Sequence, residues 1–169
     1  MPFLTAREVS DFLEEPGHLA RIATVDEDRL PLVVPVWFIA DGPRVLITPR
    51  ARSQWWGHLQ SHPYACISID EEARPWRKIV LRGRVEIVHD IGNDADWREI
   101  YRRIACRYVS EREADAYLYN TRNEPRALIA LPLAGCTSWR MPVVGEDPRQ
   151  VWAERYYHDG SKDESRSEV

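Results

Sequence analysis

From Leu32 to Ala40 the chain reads LVVPVWFIA, with no charged and no hydroxyl side chain. A strand with one face in water alternates apolar and polar residues, so a strand that is apolar throughout must be covered twice. One cover is the domain's own core. The other is a partner chain or a flat apolar ligand. Pro35 lacks a backbone N–H, which restricts this strand to a sheet edge or a bulge. On either side lie the apolar runs HLARIATV and RVLIT, set off by the turn clusters DEDR and DGPR. Three such runs predict an antiparallel meander, with strands at 18–25, 31–40 and 44–48. A sheet that stops pairing beside an apolar face leaves room for a planar ring.

The rest of the sequence supplies more short elements. Thr5 with Glu8 forms a capping box for a helix over 5–14, whose apolar stripe is Val9, Phe12 and Leu13. Pro16-Gly17 stops it. SQWWGHLQ predicts a short helix ending before Pro63, and YACISID a strand. Residues 78–88 form the clearest strand, with Ile79, Leu81, Val85 and Ile87 on one face and Arg82, Arg84 and Glu86 on the other. Gly83 marks a bend within it. Asp94 or Asp96 caps a helix carrying Trp97, Ile100, Tyr101, Ile104 and Tyr108 at helical spacing. Ser110 and Glu113 cap another through Tyr119. ALIALPL and CTSWRMPV close the set with one or two strands. These elements predict a mainly β fold: a small antiparallel barrel of six to seven strands with peripheral helices. Residues 1–157 read as one domain and 158–169 as a polar, disordered tail.

The chain has 169 residues, a net charge of -4 and a pI near 5.8. That balance argues against non-specific binding to nucleic acid or an anionic membrane. No apolar stretch approaches the ~18 residues of a membrane span, and no secretion signal opens the chain. Cys66, Cys106 and Cys136 are scattered and odd in number, which fits a reducing cytoplasm rather than a disulfide framework.

Candidate chemistry centres on Thr48, Pro49, Arg50, Ala51, Arg52 and Ser53. Two guanidinium groups and two hydroxyls at the start of a helix are the parts of an anion site, although a solvated basic loop with Ser53 as a helix cap has the same composition. Trp55 and Trp56 point about 100° apart on a helix, so one can pack inward while the other meets a partner or a ring. His58 and His62 have the spacing of helical metal ligands, but Pro63 disfavours helix at His62 and no carboxylate or cysteine cluster accompanies them. No metal site is assigned. Cys66 reads as a small buried hydrophobe. No nucleophile motif, phosphate-binding glycine loop or hydrolytic triad occurs, and no catalytic acid or base is assigned.

The order ARIATV, turn, PLVVPVWFIADG, RVLIT, RxRS, helix, HPYACISID, KIVLRGRVEIV resembles the pyridoxamine 5'-phosphate oxidase-like superfamily, the flavin- and deazaflavin-binding split barrels. The resemblance covers about residues 18 to 90 and extends more weakly to CTSWRM. It implies a homodimer with a phosphorylated flavin in the groove between subunits. It places Val34, Pro35, Val36 and Trp37 along the flavin ring, with Thr48 at the end of the next strand. Arg50, Arg52, Ser53 and Gln54 fall in the phosphate loop, and Lys78 falls at the ring edge. Trp139 and Arg140 reach over from the other subunit. Trp55 stands where many members have a lysine, which removes one phosphate cation and leaves FMN, a longer deazaflavin or no flavin open. The implied activity is an FMN-dependent oxidoreductase acting on a small organic substrate. The alternatives are a deazaflavin-dependent reductase and a non-catalytic module for flavin or haem, for which His58, His89 and His158 are available as axial ligands.

Overall fold

A computed structural model describes residues 3–146. The tail expected at 158–169 and the end of the expected domain at 157 lie outside the described residues. Among the described residues, nine strands form two antiparallel sheets that do not close on each other, as in a split barrel. In chain order they are β1 Ala20–Val25, β2 Pro31–Val36, β3 Phe38–Asp41, β4 Arg44–Ile47, β5 Tyr64–Asp70, β6 Lys78–Arg84, β7 Glu86–His89, β8 Leu128–Pro132 and β9 Thr137–Trp139. Four helices accompany them: α1 Ala6–Glu14, α2 Gln54–Ser61, α3 Asp94–Cys106 and α4 Glu111–Asn120. The first sheet runs β2-β1-β5-β6-β9 and the second β3-β4-β8-β7.

The strand count exceeds the expected six to seven because both long runs divide between the sheets. The run expected at 31–40 leaves the first sheet after Val36 and enters the second at Phe38. The run expected at 78–88 leaves the first sheet after Arg84 and enters the second at Glu86. Apolar composition is continuous across each switch, so periodicity alone cannot mark it. After its switch Ile87 is 51% exposed, which corrects its assignment to the buried face. The bend expected at Gly83 falls two residues later.

Pro35 lies in an edge strand, as a residue with no N–H requires. Leu32, Val34 and Val36 pack inward, while Val33 on the outer face is 59% exposed. Beyond the switch, Phe38 and Ala40 face the core between the sheets, and Ile39 faces α3 and α4. The second cover of Trp37–Ala40 is therefore the protein's own helical pair, not a partner. Only the outer face of β2 keeps the uncovered apolar surface that the sequence predicts for the whole run.

The main core lies between the sheets, with Phe12 and Leu13 of α1 and Trp55, Trp56 and Leu59 of α2 joining it. A second core forms where α3 and α4 lay Trp97, Tyr101, Ile104, Ala114 and Leu118 on Ile39, Leu46, Leu128 and Ala130. Helices that the sequence reads as peripheral thus bury the far face of the second sheet. Both capping boxes form, at Thr5–Glu8 and Ser110–Glu113. Asn93, rather than Asp94 or Asp96, occupies the cap position of α3.

Tyr108 fastens the first switch. Its hydroxyl accepts from Phe38 N at 3.2 Å and donates to the His18 carbonyl at 2.8 Å, and its ring stacks on Trp37 with centroids 5.1 Å apart. Tyr108→Phe keeps the ring and strands both backbone groups. It should lower stability by about 1 kcal/mol, read as a lower urea midpoint with unchanged slope. An unchanged midpoint would show that the clasp contributes nothing.

Candidate cofactor cleft

An open cleft of about 360 Å³ lies beside the first sheet switch. Its apolar wall is Leu19, Pro35, Val36, Ile47 and Trp55, with Trp37 at one side. Its polar wall is Thr48, Arg50, Ser53, Tyr101, Tyr117 and Arg126. Such a volume, apolar with a few converging polar groups, is ordinary for a small-molecule site.

The polar wall is built by backbone pairing. Ala51 N donates to the Pro125 carbonyl at 2.9 Å, Ala127 N to the Pro49 carbonyl at 3.1 Å, and Arg50 bridges Arg126. This pins the loop after β4 to the segment before β8 and sets two arginines side by side. Both donate to one oxygen, the Tyr117 hydroxyl, from 3.1 Å (Arg50) and 3.0 Å (Arg126). Arg126 also donates to the Thr48 carbonyl at 3.2 Å and stands over the Tyr101 ring at 4.4 Å. Arg50 is further paired with Glu124 at 3.1 Å.

The two cleft phenols differ in acidity. Burial, above all, pushes Tyr101 well above the usual tyrosine range. Burial also raises Tyr117, but the neighbouring Tyr101 hydroxyl and the guanidinium groups of Arg50 and Arg126 outweigh it and bring Tyr117 below the usual value. The Tyr101 hydroxyl and Arg126 Nε are both buried and make no hydrogen bond of good geometry among the described residues.

Of the residues singled out from sequence, Pro35, Val36, Trp37, Thr48, Arg50 and Ser53 meet in this cleft. Val34 points into the core instead. Arg52 is 76% exposed and held by Glu124 at 2.8 Å, away from the cleft, and Gln54 is exposed. The Ser53 hydroxyl donates to the Arg50 carbonyl at 2.8 Å, so it braces the loop and does not cap α2. Lys78, Trp139 and Arg140 gather at the opposite edge of the first sheet. There Lys78 Nζ sits 4.0 Å from the Trp139 ring centroid and Arg140 grips Glu146 with both terminal nitrogens. Trp55 and Trp56 are both buried; Trp55 also lines the cleft.

Sequence reasoning missed Tyr101, Tyr117 and Arg126. Helical spacing assigns Tyr101 to a buried stripe, and nothing local marks Tyr117. The available signal for Arg126 was one arginine set directly before the apolar run ALIALPL. His58 is a buried residue whose Nδ1 lies 3.0 Å from the Thr24 hydroxyl, while His62 ends α2 exposed. The described residues also bring Glu15, His18 and Glu71 within ligand range of one another, but Arg77 already bridges both carboxylates. No described helix is long and apolar enough to cross a membrane.

The sequence profile of the pyridoxamine 5'-phosphate oxidase family matches residues 5–139. No curated protein matches the sequence significantly. Among solved structures, an F420 reductase is 25% identical with a TM-score of 0.56, the match covering 75% of this chain and 94% of that one. The FAD and haem binding protein from Mycobacterium smegmatis is 19% identical with a TM-score of 0.62, covering 86% and 76%. HutZ, the haem storage protein from Vibrio cholerae, is 17% identical with a TM-score of 0.59, covering 80% and 94%. The last two likenesses concern the fold alone.

Proposed function

We propose that this chain, which belongs to the pyridoxamine 5'-phosphate oxidase family, holds FMN in the cleft beside the β2–β3 switch and acts as an oxidoreductase on a small organic substrate. One observation carries this reading: an apolar wall of Leu19, Pro35, Val36, Ile47 and Trp55 faces a polar wall built around two arginines. A flat ring with an anionic tail has that same division. The donor set fits, because Arg126 keeps a buried Nε–H without an acceptor among the described residues. A bound flavin supplies the hydride or electron chemistry, and the protein supplies position, dryness and tuning.

The residues have separable tasks in this reading. Pro35 and Val36 give the ring a surface that offers it no competing N–H from Pro35. Trp37, fixed between Tyr108 and Tyr117, closes the side of the cleft and excludes water. Arg50, Thr48 and Arg126 hold the tail, with Ser53 bracing the loop beneath Arg50. The exposed Val33, with Leu30 and Tyr64 also exposed, supports a homodimer packed through the outer face of the first sheet. In this reading Lys78, Trp139 and Arg140, which lie away from the cleft of their own subunit, serve that of the other.

A deazaflavin is the second reading, supported by the F420 reductase likeness and by Trp55 at the position where a lysine is common in the family. The absorption spectrum of freshly purified protein, with mass analysis of what denaturation releases, decides between them. Arg50→Ala should weaken binding of the released compound by about 1.5–3 kcal/mol, roughly tenfold or more. Full retention in that variant, or a colourless protein that binds neither compound on titration, overturns the reading. Sedimentation of the same sample tests the dimer.

A further inference from the structure

The oxygen of Tyr117 is surrounded by donors. Arg50 donates to it at 3.1 Å and Arg126 at 3.0 Å, and the Tyr101 hydroxyl lies beside it. A neutral phenol also has a proton of its own to place. Among the described residues the Tyr117 O–H donates to nothing, and its oxygen only accepts. An oxygen that receives two charge-assisted bonds and gives none has the surroundings of a phenolate.

The neighbouring charges require one. Arg126 is 5% exposed, and buried charges are as a rule paired. Among the described residues its guanidinium forms no ion pair: Asp94 reaches only its backbone N–H, at 3.0 Å, and Glu124 is taken by Arg50 and Arg52. The described residues that line the cleft include no Asp, Glu or His. The alcohols of Thr48 and Ser53 are too weak as acids to ionise in water. Burial pushes up Tyr101, and likewise Tyr108 on the far side of Trp37. Burial raises Tyr117 too, yet its hydroxyl and guanidinium neighbours bring it below the usual value. Tyr117 is thus the described cleft residue able to supply negative charge.

We propose that Tyr117 is an internal counter-ion, a phenol that gives up its proton to neutralise Arg50 and Arg126, and that an anionic ligand replaces it by returning one proton to its oxygen. The second half rests on the reading above that the cleft takes a ligand with an anionic tail. Phenolate and tail draw on the same guanidinium groups. An anion arriving there is a like-charged neighbour of the phenolate, so one proton from solvent converts it to the phenol, which still accepts both hydrogen bonds. One negative charge enters, one proton follows, and no bond of the ligand changes. Linkage is reciprocal, so an anion that holds the proton on Tyr117 is itself weakened when that proton leaves. Affinity for an anionic ligand therefore falls as the pH rises through the Tyr117 titration, by up to about tenfold per pH unit for one proton. A neutral ligand with the same ring is spared.

The test first titrates the full chain with base, without ligand, following the ultraviolet absorbance of tyrosinate. One tyrosine should ionise ahead of the ordinary value of about 10. Tyr117→Phe should lack that early step, Arg126→Gln should shift it upward, and Tyr119→Phe, which removes an exposed phenol, should keep it. Saturating inorganic sulfate, the anionic probe, should also shift it upward. Binding heats of FMN and riboflavin are then compared in buffers of different ionisation enthalpy. FMN should take up protons and lose its advantage over riboflavin as the pH rises through the step; the ratio cancels any ionisation of their shared ring. In Tyr117→Phe the ratio should not vary with pH. No early step in the wild type, a step that survives in Tyr117→Phe, or one that sulfate leaves in place overturns the proposal. So does an FMN advantage that stays constant through the step. If Tyr117→Phe does not fold, Arg126→Gln decides: an upward shift supports the proposal and an unmoved step overturns it. A protein that binds neither flavin, or binds both equally at every pH, sinks the cofactor reading or its placement of the tail, and the absorbance and sulfate results then decide this one alone.

Discussion

Phe38→Ala lowers folding stability by about 3–5 kcal/mol, the range for deleting a buried aromatic ring. Phe38 is fully buried and sits opposite Ile47 at the point where the chain enters the second sheet. Its ring fills the core between the sheets, and the Arg107 guanidinium stands 5.1 Å from its centroid. The surroundings cannot collapse onto the vacancy, because Tyr108 holds the backbone there from one side and the β3–β4 pairing from the other. A domain of this size has about 5–15 kcal/mol in all, so the variant loses a large share of it. Urea denaturation with a common slope measures the change. A loss under about 1.5 kcal/mol would mean that the switch relaxes freely and that the rigid anchor described above does not exist.

Arg77→Ala removes the most heavily used side chain of the surface network and costs about 2 kcal/mol near neutral pH, below the range for a fully buried pair because Glu15 is partly exposed. Arg77 donates to Glu15 through two nitrogens at 2.7 Å each and to Glu71 at 2.6 and 3.0 Å, joining the end of α1 to the β5–β6 turn. Its ring contact with Phe12 is lost as well. Hydrogen bonds from Arg77 hold both carboxyl groups below their ordinary values. A carboxyl group lowered in the folded state stabilises above its unfolded pKa, and that stabilisation fades as pH falls through the folded value. The gap between wild type and variant should therefore be full at pH 7 and shrink steadily as the pH drops below about 4. An equal gap at pH 7 and pH 3 would assign the effect to lost packing rather than to charge.

Local signals carried much of the fold. The two capping boxes, the first hairpin and one of the two positions open to Pro35, the sheet edge, depend on residues a few positions apart and form as read. The stripe of α3 forms at Trp97, Tyr101 and Ile104, while Tyr108 falls beyond the end of the helix. The two sheet switches were not legible. Trp37 and Val85 look like any other apolar residue in an apolar run, and only the packing of two sheets decides that the chain changes partners there. The site divides along the same line. Seven of its wall residues lie within the 35–53 stretch, and sequence order brought all but Ile47 to notice. Arg126 and the two phenols come from far downstream and meet the loop through β8 and the helical pair, a contact no local pattern records. Arg52 was the converse error. Its place in the loop suggested an anion, but Glu124 takes it first.

Tyr108, Tyr117 and Arg126 reach back across roughly 70 residues of chain to the strands and loop they complete. A fragment that lacks either end of these spans lacks part of the cleft wall. If the cleft holds the ligand proposed for it, binding waits until both ends have come together, and ligand in excess shifts the thermal midpoint upward with the logarithm of its concentration.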